Sequence, residues 1–260
     1  MLMVIDIGNT RTKWAQVTSD GALTDYGMTP NFTLAQSTLQ HRLLSADKVI
    51  VANVAGDAIA EVLSGLVPRE TSLHFVSASV EACRLVNQYE QSEALGVDRW
   101  ASAIAAWHKY QQPTVIVNAG TAITIDSLSM DATLGTTGVK SSVVKTGCYL
   151  GGTIMPGLYL MHDALVNHTA KLANATTGTI QAFPVNTVDA MQTGCMRAIV
   201  GAIVLASQQL EKHGDSSPII VITGGDAVKI ADMLKGHLKK VAIDDHLVLQ
   251  GLALLQKAYV

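Results

Sequence analysis

Short, almost uninterrupted apolar runs recur along the chain, each closed by glycine, proline or a polar turn. "MLMVIDI" (1–7) and "RTKWAQVT" (11–18) flank "GNT", and their β-branched and apolar residues predict the two strands of a hairpin. "KVIVANV" (48–54) and "LHFVSAS" (73–79) read as further buried strands. Between them, 57–66 has helical spacing and stops at Val67-Pro68. "DRWASAIAAWHKY" (98–110) is rich in helix formers, with Asp98 placed to cap its start. "QQP" breaks that pattern and "TVIVNAG" (114–120) opens a new strand. Residues 136–146 read as a loop or a long exposed hairpin, and "GGTIMPGL" (151–158) as a glycine-rich turn into a helix. A long helix is expected over 187–213, begun by a Thr187 cap and stopped by Gly214. "PIIVITGGDA" (218–227) is a strand, a double-glycine turn and a helix start, and "DDHLVLQGLALLQKA" (244–258) is a closing helix. Strands alternating with helices imply an α/β class.

The pattern also repeats. "VIVNAGTAITID" (115–126) follows the logic of "MVIDIGNTRTKW" (3–14): an apolar strand, Asp or Asn, one residue, Gly, then a Thr-containing strand. The copies lie about 112 residues apart, which suggests duplicated halves, 1–112 and 113–260, each opening with a hairpin.

Composition narrows the class. Of 260 residues, 48% are hydrophobic and 15% charged, enough apolar surface for one large or two modest cores. A net charge of −3 without a dense Lys/Arg run argues against a nucleic-acid partner. Three cysteines without CxxC spacing point to a reducing, cytoplasmic setting and away from a disulfide framework or zinc site. Eight histidines lack HxH or HExxH spacing, so a histidine-built metal centre is not expected. Asp6 interrupts the first apolar run too early for a signal peptide, and the longest greasy stretch, 198–206, is too short to span a bilayer, so no membrane association is expected.

Three places can carry chemistry, and each has a plainer reading beside it. The 6–13 hairpin is either a simple turn or an anion cradle. Around Gly8 no Cβ obstructs the backbone N–H groups. Thr10 and Thr12 hydroxyls and the Lys13 charge suit phosphate oxygens, and Asp6 suits a hydrated Mg2+. "GVDRW" (96–100) is a helix start, and also a place where Asp98 can act as a base and Arg99 as a fork for a carboxylate. Gly224-Gly225 is a strand-to-helix turn or a close approach to an adenosine. Neither GxxxxGK[ST] nor GxGxxG between a strand and a helix is present. Two such hairpins with a late "TGGDA" resemble the layout of the actin, hexokinase and Hsp70 superfamily, in which a nucleotide lies in a cleft between duplicated domains. Trp100 and Trp107 share the Asp98 helix, one expected to pack and the other free to line a subunit contact.

"DIGNTRTKWA", Tyr89 followed by "LGVDRWASAIAA", "NAGTAITID", "LGGTIMPGL" and "TGGDA" stand in an order and rough spacing that resemble type III pantothenate kinases. The resemblance implies two duplicated ribonuclease-H-like domains with a nucleotide cleft between them, a homodimer, and ATP-dependent phosphorylation of pantothenate to 4'-phosphopantothenate, the first step of coenzyme A biosynthesis. It implies an ATP-phosphate loop of Asp6, Ile7, Gly8, Asn9, Thr10, Arg11, Thr12 and Lys13, with Asp6 near Mg2+, and further ATP contacts at Thr121, Gly224 and Gly225. It places pantothenate against Tyr89, Gly96, Val97, Asp98, Arg99 and Thr187, with Asp98 as proton acceptor. Thr187 reads equally well as a helix cap. Many members carry Asp where this chain has Asn118; the neutral amide removes a charge from a K+ or NH4+ site and puts that ion in doubt. The segment 131–147 is longer than the family usually has there. A kinase for a sugar or a short acid, and a nucleotide-bound regulatory protein, are the alternatives.

Overall fold

The computed structural model describes residues 1–130, 146–168, 178–214 and 216–256; the expected long loop at 131–147 lies, but for its last residues, outside them. The strands are β1 (Leu2–Ile7), β2 (Arg11–Val17), β3 (Leu23–Pro30), β4 (Lys48–Asn53), β5 (Ser72–Phe75), β6 (Glu81–Ala82), β7 (Leu85–Asn87), β8 (Thr114–Ala119), β9 (Ala122–Met130), β10 (Gly147–Pro156), β11 (Ile219–Thr223) and β12 (Val241–Ile243). The α-helices are α1 (Leu39–Leu43), α2 (Asp57–Leu66), α3 (Val97–Tyr110), α4 (Leu158–His168), α5 (Thr187–Gly214), α6 (Ala227–Leu234) and α7 (Leu247–Leu255). Two compact units result: Met1–Gln111 with Met130–Leu150 and His246–Val260, and Gln112–Ser129 with Gly151–Asp245.

In the first unit the sheet order is β3-β2-β1-β4-β5, antiparallel through β3, β2 and β1 and parallel from β1 to β5. β1 is apolar almost throughout because both its faces are covered. Met3, Ile5 and Ile7 pack with Leu34, Leu39, Leu43 and Leu63 on one side. Strand alternation turns Val4 and Asp6 to the other, where α7 packs on β1 and β4. α3 is buried nearly all round. Its alanines let α7 approach until a Cβ on Gly251 would run into the Ala101 carbonyl. Trp100 and Trp107 are both buried, so neither faces outward. Trp107 fills the space that the missing Cβ of Gly147 leaves open.

The second unit repeats this plan. β8 and β9 form an antiparallel hairpin, β11 joins β8 in parallel and β12 joins β11, giving the order β12-β11-β8-β9-β10. Element for element this is β5-β4-β1-β2-β3 again, as the repeated sequence pattern implies. The chain is thus α/β with two mixed sheets.

Several local expectations need correction. "GGTIMP" is strand rather than turn: Thr153 and Ile154 favour the extended backbone, and Gly151, at φ +130°, is accommodated within it. α3 begins at a Gly96 cap without a side-chain bond, and Asp98 lies inside its first turn. α5 is capped by Asn186, whose Oδ1 accepts the Asp189 N–H at 2.9 Å, and not by Thr187. The 198–206 stretch belongs to a 28-residue helix, α5, the one helix among the described residues long and apolar enough to cross a membrane by length and composition. Its Met196, Ile199, Ile203 and Leu210 are buried within the protein. β3, β6, β7 and β12 are short or polar strands for which the apolar pattern carries no signal.

Candidate active site

In the first unit the chemistry starts from a register. Asp6, last but one in β1, is directly opposite Lys13 on β2, so both side chains leave the same face of the hairpin. That face is opposite the one carrying Ile5 and Ile7. Asp98 reaches the same neighbourhood from the first turn of α3, close enough for its charge to act on Asp6. Burial pushes the Asp6 carboxyl up from 3.8 to about 7, the Asp98 charge adds to the rise, and Lys13 offsets part of it. Two carboxyl groups held this near one another form a site in want of a cation. Among the described residues no group of three or more His, Cys, Asp and Glu converges on a metal position. One or two carboxylates, with the rest of the shell left to water and substrate phosphate, is the donor set Mg2+ takes in phosphoryl-transfer sites, and these residues fit it.

Asp98 is itself positioned by its neighbours. Its Oδ1 accepts the Arg99 N–H at 2.8 Å and folds back over Gly96, where a Cβ would meet that oxygen at 2.8 Å. Glycine at 96 is what lets the carboxylate lie there. Val97 and Arg99 are buried. The Arg99 guanidinium stands 5.9 Å from the Tyr89 ring centre. Tyr89 in turn leans on the fully buried Tyr149, whose edge meets Trp100. Asn87 fixes the turn: its Oδ1 accepts the Tyr89 N–H at 3.0 Å and its Nδ2 donates to the Ser79 carbonyl at 3.1 Å. Neither Asn87, in the three-residue β7, nor Tyr149, near the start of β10, carries a sequence signal of its own.

Along the hairpin, Ile7 is core, whereas Asn9, Thr10 and Arg11 are exposed. The Gly8 N–H donates to the Arg11 carbonyl at 3.1 Å. Thr12 is fully buried on the face away from Lys13, and its hydroxyl donates to Asn31 Oδ1 at 2.9 Å. Gly8 has no positive φ, and a Cβ there would find only ordinary contact. Nothing in the fold demands glycine at that position.

The second unit assembles another cluster from the repeat. Asn118 ends β8 opposite Thr124, and Thr121 sits exposed at the β8–β9 turn. Gly157 packs so closely that a Cβ would strike the carbonyls of Gly120 and Thr121, and its N–H donates to Thr121 at 3.0 Å. Gly224, at φ +101°, presses on the Ala119 backbone, and the Asp226 N–H reaches the Ala119 carbonyl at 3.3 Å. The "TGGDA" turn is therefore docked on the "NAGT" hairpin. Gly225 has open space around it. Asp126, buried on β9 and bonded by the Thr124 hydroxyl at 3.3 Å, is the nearby carboxylate the sequence pattern did not single out. Thr187 is exposed at the start of α5, apart from that cluster's hydrogen bonds. Two residues on, Asp189 accepts the Thr179 N–H at 2.7 Å and Asn186 Nδ2 at 2.7 Å, which hold its carboxyl below the usual range.

The activator of 2-hydroxyisocaproyl-CoA dehydratase from Clostridium difficile, solved with bound ADPNP, superposes with a TM-score of 0.51 at 13% identity, over 99% of this chain and 95% of that one. A Campylobacter jejuni protein described as a Baf-family transcriptional activator gives 0.59 at 22% identity, over 99% and 98%. At these identities the likeness concerns fold alone. The sequence goes further. The profile of the family described as type III pantothenate kinase matches residues 2–137 and 132–209. A type III pantothenate kinase of Methylobacillus flagellatus is 36% identical over 263 residues, 98% of each chain. One from Nitrosomonas eutropha is 34% identical over 264 residues, 99% of this chain and 95% of its own. The chain belongs to the type III pantothenate kinase family, and its activity is ATP-dependent phosphorylation of pantothenate.

The Asp6 shift has a consequence for stability. The folded protein keeps the Asp6 proton up to about pH 7, whereas the unfolded chain releases it near 3.8. Stability from this group is complete below that lower value and declines as pH rises through about 7. Asp6→Asn removes the titration. In urea denaturation without magnesium, the variant is expected to be more stable than the parent by at least about 1 kcal/mol at about pH 8, with the gap closing below about pH 4. A gap independent of pH would contradict the shift.

Proposed function

We propose that Asp98 receives the proton of the pantothenate primary hydroxyl as that oxygen attacks the γ-phosphorus of ATP and the bond to the ADP oxygen breaks. The observation that carries this reading is the convergence of Asp6, Lys13 and Asp98 in one unit, tight enough for one carboxylate to alter the other. In this reading the hairpin from Asp6 to Lys13 holds the ATP phosphates with backbone N–H groups, the Thr10 hydroxyl and the Lys13 ammonium. Thr121, Gly224 and Gly225 are assigned further nucleotide contacts. Asp6 would hold Mg2+, which when bound neutralises phosphate charge. A neutral Asp6 binds a cation poorly, so metal loading strengthens as pH rises through about 7.

Pantothenate is read as lying against Tyr89 and the Gly96–Val97–Asp98–Arg99 turn. Arg99 offers a planar fork for its carboxylate and Thr187 a further polar contact. The Arg99–Tyr89–Tyr149 stack supports that assignment, because it fixes the guanidinium before substrate arrives. Asn118 contributes only a neutral amide to a K+ or NH4+ ion, so charge compensation is assigned to Mg2+ and Lys13. We further propose a cytoplasmic homodimer. Three cysteines without CxxC spacing suit a reducing compartment, and Phe183, Val185 and Tyr159 stand exposed, as residues awaiting a second copy do.

Asp98→Asn is expected to lower kcat by about 10²-fold or more while leaving ATP affinity within about twofold of the parent. An unchanged kcat would remove Asp98 from the chemistry. Sedimentation velocity is expected to give a species of twice the chain mass of 27.5 kDa, and a single-chain mass at all loadings would refute the dimer.

A further inference from the structure

We infer that Asn31 is a positioning residue for phosphoryl transfer: it grips the phosphate hairpin at three alternate residues and aims a backbone donor. This rests on the reading of 6–13 as the ATP-phosphate loop. The Asn31 N–H donates to the Thr10 carbonyl at 3.1 Å. Its Nδ2 donates to the Gly8 carbonyl at 2.7 Å, and its Oδ1 accepts the Thr12 hydroxyl at 2.9 Å. Residues 8, 10 and 12 are thus tied to one side chain and its own amide. An amide is the group this task needs, since it offers a donor and an acceptor together.

The geometry has a directional consequence. Among the described residues every peptide bond is trans, so each peptide unit points its C=O and N–H to opposite sides. With the Gly8 carbonyl turned to Asn31, the N–H of Asn9 turns away from it. Asn31 lies on the Ile7 and Thr12 side of the hairpin, and Asp6 and Lys13 leave from the other. The clamp therefore presents the Asn9 donor away from the core. A hairpin with such a donor held in place spends less ordering entropy when an anion binds.

The clamp is itself rigid. Asn31 follows Pro30, whose fixed φ of −60° opens a short 3-10 helix, Asn31–Gln36. Leu34 of that helix is wholly buried in the core. The Thr33 hydroxyl donates to the Pro30 carbonyl at 3.0 Å and lies 2.8 Å from that of Thr29. Pro30 is registered against Arg11 and Thr29 against Thr12, so the clamp is set at the level of the loop it holds.

Steady-state kinetics on the full chain decide the matter, with Asn31→Ala and Asn31→Asp beside the parent. Alanine removes both side-chain bonds; aspartate keeps an acceptor for Thr12 but sets an oxygen against the Gly8 carbonyl. Both variants are expected to raise KM for ATP about tenfold, with KM for pantothenate within about twofold and a cooperative thermal transition retained. Combining Asn31→Ala with Thr12→Val is expected to add little, because the two act through one bond. Equal losses for both substrates, or an unchanged KM for ATP, would overturn the assignment. Gly8→Ala separates this from failure of the parent reading. If it raises KM for ATP while Asn31→Ala does not, the loop binds ATP and the positioning role alone is wrong. If neither variant changes it, the hairpin is not the ATP loop.

Discussion

Two carboxyl groups that repel one another hold the key to this fold. Asp6 ends a strand buried on both faces, and Asp98 opens a helix buried nearly all round. Neither can move away without disturbing a core. The sheet keeps Lys13 opposite Asp6, and the missing Cβ of Gly96 keeps Asp98 folded over the start of its helix. Burial first, and the Asp98 charge after it, push the Asp6 carboxyl up to about 7. Folding thus sustains an electrostatic cost, which, in the function proposed above, a magnesium-bound phosphate would relieve.

Glycines separate what the fold requires from what the chemistry requires. Gly157, Gly224 and Gly251 sit where a Cβ would collide with neighbouring backbone, so packing explains them. Gly8 and Gly225 meet no such obstacle and have no positive φ. A glycine there loses more backbone entropy on folding than alanine and returns nothing to the core. Both lie at the turns proposed above as nucleotide contacts, where a missing Cβ would let a phosphate approach the backbone closely.

Much of this was legible in the residues because the signals are local. The β1–β2 hairpin, the 57–66 helix, the helix from Thr187 and the repeat of one hairpin logic all follow from apolar runs and turn residues. The motifs at Asp6, Asp98, Asn118 and Gly224 stand beside those elements. What stayed hidden is non-local. Asn31 is an ordinary turn residue until β3 brings it beside the hairpin. Asn87 and Tyr149 matter only through Tyr89 and Trp100. Thr12 looks like a phosphate ligand in sequence, but strand alternation turns its hydroxyl to Asn31. Strands as short as β6 and β12 have too few residues to show a period at all.

The central claim is that Asp6 and Asp98 act on one another, and a carboxyl titration of the magnesium-free enzyme tests it most directly. With side-chain carboxyl carbons observed by NMR, Asp6 should titrate at about 7 in the parent and move toward the ordinary carboxylate range in Asp98→Asn. An Asp6 titrating near 4, or one whose titration is indifferent to Asp98, would contradict the account.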